Sequence, residues 1–361
     1  MNPQRILMIK SHSMGVGDVL RSSAAWRVLK NKWPGVQLHL LFLSKHAGYA
    51  TESLIKQHHL LSSAHFLTVR SQDPSVANAA RVPITTLIRQ VQDIARKIQP
   101  DLIIDFEPHG LKTSLLTLMA ARSTKATTVG IAQFPGRSWF YDLCSESLPL
   151  YAKRHGLSVP MDYTHRDFVV LQALGLERAG TPIELQLSLE GERFKQQIQA
   201  MTGTDLPVVG LNIGCGTLDA LIKRPQIDHL ASCMAALYLQ QPFALVLSGA
   251  PFEKDVNLAF VQAFQKSLGH LIPVFDMAGL TTLPESAGLM DACDLFITTD
   301  SGPYHMAVGL RKPTLVWFTY AETTSFHEDV WVQRVIQPTE LEFVAAVNQL
   351  NWLKSRPSLT A

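Results

Sequence analysis

Short apolar runs of about five residues recur along the chain, each followed by a longer stretch with apolar residues at helical spacing. Runs this short, rich in Val, Ile, Leu and Phe and bounded by turn residues, predict buried strands. In the first half they fall at Arg5–Ile9, Gln37–Leu43, Leu102–Phe106 and Thr127–Ile131. Helices are predicted at Asp18–Trp33, Pro83–Ile98, Leu111–Ala121 and Asp162–Leu174, the last ending on Gly175. Residues 133–159 read as irregular, with several prolines and glycines. In the second half the strands are Val208–Asn212, Ala244–Ser248, Ile272–Phe275, Leu295–Thr299 and Thr314–Phe318. Helices are predicted at Ile227–Gln241, Glu253–Leu268, Leu283–Ala292, Tyr304–Leu310 and Thr339–Leu353.

Strands alternating with helices predict parallel sheets covered on both faces. The two halves share this rhythm, which predicts an α/β protein of two doubly wound, Rossmann-like domains facing a central cleft. Breakers crowd residues 176–206, so the division is residues 1–175, a linker over 176–206, a second domain over 207–337 and a terminal helical segment over 338–361. At 361 residues, 47% apolar and 17% charged, the chain has material for two sizeable cores. A net charge of +2 argues against a nucleic-acid binder held by bulk electrostatics. No apolar run approaches the roughly 18 residues of a spanning helix, and the N-terminus enters a strand pattern without a signal-peptide core. Cys144, Cys215, Cys233 and Cys293 have no CxxC spacing and read as reduced cytosolic thiols.

The chemistry concentrates in turns that follow strands. Asp291–Phe318 reads as strand, tight turn, short helix, strand, with Asp300-Ser301-Gly302 at the turn and Pro303 opening the helix. That unit sets a helix N-terminus at the carboxyl end of a parallel strand, either as an anion site or as an ordinary βαβ connection. Gly214-Cys215-Gly216 follows another strand, and Lys223-Arg224 stands just before the next helix. These elements can converge on a diphosphate, with Lys223 a point charge and Arg224 a fork; alternatively the two are a solvated basic pair. His305, in the first turn after Gly302, either faces the same crevice or packs.

The first loop, with Gly15-Val16-Gly17-Asp18, fails the dinucleotide fingerprint because Leu20 stands where a small residue is needed. It leaves Asp18 at the start of a helix, either as a carboxylate placed to take a proton from a sugar hydroxyl or as a helix N-cap. The 13 histidines form no HxxxH or HExxH pattern, and His58-His59 reads as surface. Asp105-Phe106-Glu107 is a weak match to an acidic metal motif and reads as structural.

Taken together these stretches resemble glycosyltransferase family 9, the bacterial ADP-heptose:lipopolysaccharide heptosyltransferases. The resemblance rests on Gly17-Asp18-Val19 after the first strand, Lys223-Arg224-Pro225, and Asp300-Ser301-Gly302 with His305, Ala307 and Lys312-Pro313. Ala278-Gly279-Leu280 adds to it. It implies a GT-B fold and an inverting, metal-independent transfer that needs no cofactor beyond its nucleotide-sugar substrate, ADP-heptose in the first instance. By carry-over, Asp18 is the general base. Lys223, Arg224, Gly214, Gly216, Ser301 and Gly302 hold the donor diphosphate, and Asp300 and His305 shape that pocket. Lys10, Ser13, Gly15 and Gly17 belong to the acceptor or sugar loop. The acceptor is a glycan or glycolipid, the location cytoplasmic, and the terminal helix packs back toward the first domain.

For a lipid-anchored acceptor, residues around Leu148–Leu157, with Lys153 and Arg154, are candidates for contact with the inner leaflet; otherwise they form a partly buried loop. The stretch 11–16 is longer than the usual family loop, and Thr319-Tyr320 stands where the family has a glycine. Two other readings stay open: a GT-B-type transferase or epimerase using another donor such as a UDP-sugar, and a non-catalytic nucleotide-sugar-binding protein.

Overall fold

The computed structural model describes residues 1–11, 15–44, 48, 50–69, 81–157, 163–203, 205–214, 218–320 and 326–353. The chain divides into two compact units, Met1–Ile183 and Glu184–Ala361. The first unit opens with β1 (Arg5–Ser11), α1 (Val16–Lys32), β2 (Gln37–Ser44), α2 (Ala50–Ile55) and β3 (Ser63–Thr68). It continues with α3 (Ile84–Ile98), β4 (Leu102–Asp105), α4 (Leu111–Thr124) and β5 (Thr127–Ile131). It closes with β6 (Leu143–Ser145), α5 (Leu148–Arg154) and α6 (Tyr163–Leu171).

The second unit begins with α7 (Leu189–Thr202), β7 (Val208–Asn212), α8 (Ile227–Gln240), β8 (Ala244–Ser248), α9 (Lys254–Leu268) and β9 (Val274–Asp276). It then runs through α10 (Leu283–Ala292), β10 (Leu295–Thr299), α11 (Gly302–Gly309), β11 (Thr314–Phe318), β12 (Val332–Ile336) and α12 (Glu340–Gln349).

Each unit carries one six-stranded sheet, ordered β3-β2-β1-β4-β5-β6 and β12-β11-β10-β7-β8-β9, with every pair parallel. Read from β9, the second sheet repeats the order of the first, the doubly wound arrangement of dinucleotide-binding folds. The central strands are buried on both faces, which is why they read as continuous apolar runs. Leu7, Ile9, Leu41, Leu43 and Ile103 share one core with Leu87, Val91 and Ala95 of α3 and Leu116 of α4. Their alternates Ile6, Met8, Leu40, Phe42 and Ile104 point to the other face and are equally buried.

Two departures from the sequence reading have physical causes. Within the stretch taken as a linker, α7 is a full helix lying against α10. A Cβ at Gly288 would sit 2.1 Å from the Gly191 carbonyl oxygen, so the glycines there permit a close helix crossing. The terminal helix α12 packs on α8 and β12, with Phe343, Val347 and the following Trp352 inside the second core. His58, read as surface, is buried with its ring edge-on to Trp26 at 5.1 Å.

The irregular stretch 133–159 contains β6 and α5, where Leu150 is exposed and Tyr151 and Ala152 are buried. Among the described residues no helix is long and apolar enough to cross a membrane.

Candidate active site

In each sheet the strand order reverses at one place, between β1 and β4 and between β7 and β10. The loops leaving the carboxyl ends of those strands diverge, and ligands of doubly wound sheets bind there. The predicted residues that the structure describes gather at these two places, each unit on its own.

At the first, α1 starts at Val16 with Gly15 as its N-cap residue, at φ 116°, a conformation side chains avoid. Asp18 is therefore in the first turn and not the cap, and its carboxylate pairs with Arg21 one turn on, both side chains buried. Lys10, at the end of β1, is also buried; its ammonium lies 2.9 and 3.0 Å from the two carboxylate oxygens of Asp167 on α6. Ser22 of α1 donates to the same carboxylate, so one buried ionic group ties β1, α1 and α6 together. Gly17 lies inside α1, and Ser13 is outside the described residues.

Across the strand gap, Glu107 Oε1 accepts from Ser11 N at 2.9 Å, and Arg166 stands 3.8 Å from Glu107 Oε2. The neighbouring Asp105 accepts from Tyr141 Oη at 2.6 Å and from Glu107 N at 3.0 Å, and pairs with fully buried Arg137 at 3.3 Å. Burial pushes the Asp105 carboxyl up to about 6, against the pull of the Tyr141 hydrogen bond and the Arg137 charge. The D-x-E pair is thus engaged with protein groups. Among the described residues no cluster of three or more His, Cys, Asp or Glu side chains is arranged to hold a metal ion.

At the second place, a 3-10 segment, Leu218–Lys223, carries Lys223 to the end of β10. Its Nζ donates to Asp300 Oδ2 at 2.7 Å and to the Asp300 carbonyl at 3.2 Å. Tyr320 Oη donates to the same Oδ2 at 3.3 Å. Burial alone pulls the Lys223 ammonium down, but the hydrogen bond and charge of Asp300, with Tyr320, outweigh it and hold the group above its ordinary value. Tyr320 is pushed up, by burial and by the Asp300 charge. Thr319 Oγ1 donates to the Ile222 carbonyl at 2.7 Å, so the end of β11 also grips the Lys223 segment.

Ser301 is the N-cap residue of α11; its hydroxyl points to Asn212 Oδ1 at 3.5 Å and to the Thr299 carbonyl at 3.3 Å instead of capping. Pro303 has no N–H to lose in that first turn. Thr299 Oγ1 donates to the Gly214 carbonyl at 2.7 Å, which joins the ends of β10 and β7. Gly214 is required to be small, because a Cβ there would lie 1.5 Å from Glu253 Oε1. Arg224 Nε is buried with no hydrogen-bond partner among the described residues, and Gly216 lies outside them.

His305 is buried in α11 and its Nδ1 lies 2.9 Å from Nε2 of His327, which is wholly buried. The structure therefore brings Lys223, Asp300, Ser301 and Gly302 together at one strand end, with Gly214 linked through Thr299. Asn212 and His327, and Arg21 and Asp167 in the first unit, join these groups without any local sequence signal, while Tyr320 is marked only as a departure from the family's glycine. The second cluster pairs a fixed cation with a helix N-terminus, the combination that receives a phosphate.

Two parallel six-stranded sheets of this order, one per unit, define a two-domain α/β protein of the GT-B type. The solved structure of a family 9 glycosyl transferase from Veillonella parvula matches it with a TM-score of 0.72 at 16% identity, covering 98% of each chain. That of ADP-heptose lps heptosyltransferase II from Escherichia coli matches with a TM-score of 0.68 at 15% identity, covering 98% of this chain and 100% of the other. The family model described as Glycosyltransferase family 9 (heptosyltransferase) matches residues 92–337, and the chain belongs to that family of sugar-transferring enzymes. Lipopolysaccharide heptosyltransferase 3 of Escherichia coli K12 is 24% identical over 238 residues, an alignment that takes in 66% of this chain and 63% of that relative.

Proposed function

We propose that the protein is an inverting, metal-independent glycosyltransferase. It moves a sugar, heptose in the first instance, from a nucleoside-diphosphate donor such as ADP-heptose to a hydroxyl of a lipopolysaccharide core or other surface glycan. The family and the names of its relatives support the sugar and the acceptor class. The observation that carries the reading is the Lys223–Asp300 pair at the opening of α11. A diphosphate arriving there meets an ammonium already fixed in place, the Ser301 hydroxyl, and the first-turn N–H groups that no helix can satisfy internally.

The chemistry is a single displacement. The acceptor oxygen attacks the anomeric carbon as its proton passes to the Asp18 carboxylate. The bond from the anomeric carbon to the diphosphate oxygen breaks, and the electron pair leaves with the nucleoside diphosphate. One displacement inverts the anomeric centre. Lys223 and the N-terminus of α11 offset the charge that grows on the leaving group, the part a metal ion plays elsewhere. Arg21 holds the Asp18 carboxylate in place on α1. The reading includes a cytoplasmic location and, for a lipid-anchored acceptor, contact with the inner membrane through the exposed Leu150 and the basic end of α5.

The test is Asp18→Asn, assayed by release of nucleoside diphosphate in the presence of acceptor and by calorimetric donor binding. Donor affinity stays near that of the wild type and turnover falls at least about 100-fold, the lower end of a general-base contribution. Turnover within a few-fold of the wild type removes Asp18 from the mechanism.

A further inference from the structure

His305 sits four residues after the N-cap of α11, in the helix that opens the proposed diphosphate site. The segment from Phe326 to Trp331 runs alongside this helix and is fastened to it at both ends. His327 N donates to Tyr304 Oη at 2.8 Å, and Trp331 Nε1 donates to the Val308 carbonyl at 3.1 Å. Between these the two imidazoles meet: His305 Nδ1 and His327 Nε2 are 2.9 Å apart, with ring planes at 79°. Tyr304 packs against both rings, 5.3 Å from His327 and 4.9 Å from His305 between centroids.

At 2.9 Å this is a full hydrogen bond, and a bond between two ring nitrogens holds one proton. While both rings are neutral they must therefore take the same tautomer, both Nδ1–H or both Nε2–H. If His305 Nδ1 carries the proton, its Nε2 is bare while the ring is neutral and repels an anion's oxygen. If His327 Nε2 carries it, His305 Nδ1 accepts, and His305 Nε2–H becomes a donor without the ring having to hold a charge in a buried place. Only the second arrangement suits a diphosphate.

We propose that His327 is a positioning residue for the donor site: by giving Nε2–H to His305 Nδ1 it fixes the His305 ring and the tautomer in which His305 offers Nε2–H to the donor diphosphate. This rests on the reading of the α11 N-terminus as the donor site. His327 acts through His305 and touches no substrate itself.

Two measurements test it on the full-length protein. The first is ¹⁵N imidazole NMR of the wild type, with His305 and His327 assigned by their loss in single variants. His305 Nδ1 has the shift of a bare ring nitrogen and Nε2 that of a protonated one, and His327 shows the same pattern, since its Nε2 carries the shared proton. The opposite assignment overturns the proposal.

The second is calorimetric titration with ADP of His305→Ala, His327→Phe and the double variant. His305→Ala weakens ADP binding about tenfold or more, as expected for a lost hydrogen bond to a charged group. His327→Phe weakens it several-fold alone and adds nothing in the His305→Ala background, because its effect passes through His305. Wild-type affinity in His327→Phe, or an equal loss in both backgrounds, overturns the positioning role while leaving the donor site standing. Wild-type ADP affinity in His305→Ala contradicts the donor-site reading itself, and the positioning role goes with it.

Discussion

Gly214 allows the sharpest numerical test of the packing around the proposed donor site. An alanine there would place its Cβ 1.5 Å from Glu253 Oε1, 1.9 Å from Cδ and 2.4 Å from Oε2. Neither side can yield easily. The Gly214 carbonyl is held by Thr299 Oγ1 at 2.7 Å, and Glu253 is buried with its Oε2 accepting from Ala250 N at 2.7 Å. The carboxylate must therefore leave its place. Losing a hydrogen bond to a charged acceptor costs about 1.5–3 kcal/mol, and forcing atoms into a packed region about 1–3 kcal/mol more. Gly214→Ala is thus expected to lose about 3–5 kcal/mol. At roughly 2–4 °C per kcal/mol for a domain of this size, the transition of the second domain falls by about 10 °C.

Differential scanning calorimetry of Gly214→Ala, Glu253→Ala and the double variant reads this directly. With the carboxylate gone the methyl has room, so the double variant melts within about 0.5 kcal/mol of Glu253→Ala alone. A Gly214→Ala protein that melts with the wild type refutes the packing argument. If that same protein had lost ADP affinity, the glycine would be needed for the ligand and not for Glu253.

Lys223→Ala removes the ammonium from Asp300 and should weaken ADP binding about 10- to 100-fold by calorimetry, the range for a hydrogen bond to a charged group; unchanged affinity moves the diphosphate elsewhere. Arg137→Met takes the paired charge from the buried Asp105 carboxylate and a donor from the Pro108 and Ile131 carbonyls, so the urea midpoint of the first domain should drop by the equivalent of about 3–5 kcal/mol, and a loss below about 1 kcal/mol contradicts this. Burial raises Asp105 from 3.8 to about 6, so the folded protein holds a proton there that the unfolded chain has released. That contribution is complete below about pH 4 and is lost as pH rises through about 6, at roughly 1.4 kcal/mol per pH unit. Stability profiles of the wild type and Asp105→Asn should therefore converge in slope only outside this window, and parallel profiles throughout remove Asp105 as the cause.

The inner strands were legible in the sequence because they are buried on both faces. β1, β4, β7, β10 and β11 appear within a residue or two of their predicted places. Three of the four sheet edges were not legible. β3, β6 and β12 each lack one neighbour, and their half-exposed residues break the apolar run that marks a strand. α7 was hidden because Gly191 reads as a breaker until Gly288 is seen packed on it.

The same division holds for the candidate sites. Asp300-Ser301-Gly302 announces itself because it follows a strand at once, and Asp18 because it opens the helix after the glycine loop that leaves β1; the strand order sets them at the two reversals. Their partners carry no such mark. Asp167 is 157 residues from Lys10, and His327 is 22 from His305, spacings that no helix or strand period predicts. Tyr320 stood out only as a departure from the family glycine, and it donates to the Asp300 carboxylate.

The central claim is that the end of β10 and the opening of α11 hold the diphosphate of a nucleotide sugar. Calorimetric titration of the purified protein with ADP, UDP, GDP and CDP, first without metal and then with Mg²⁺, tests it most directly. The account predicts binding without metal, tightest for ADP and lost in Lys223→Ala. Failure to bind any of the four nucleotides, with or without Mg²⁺, would contradict it.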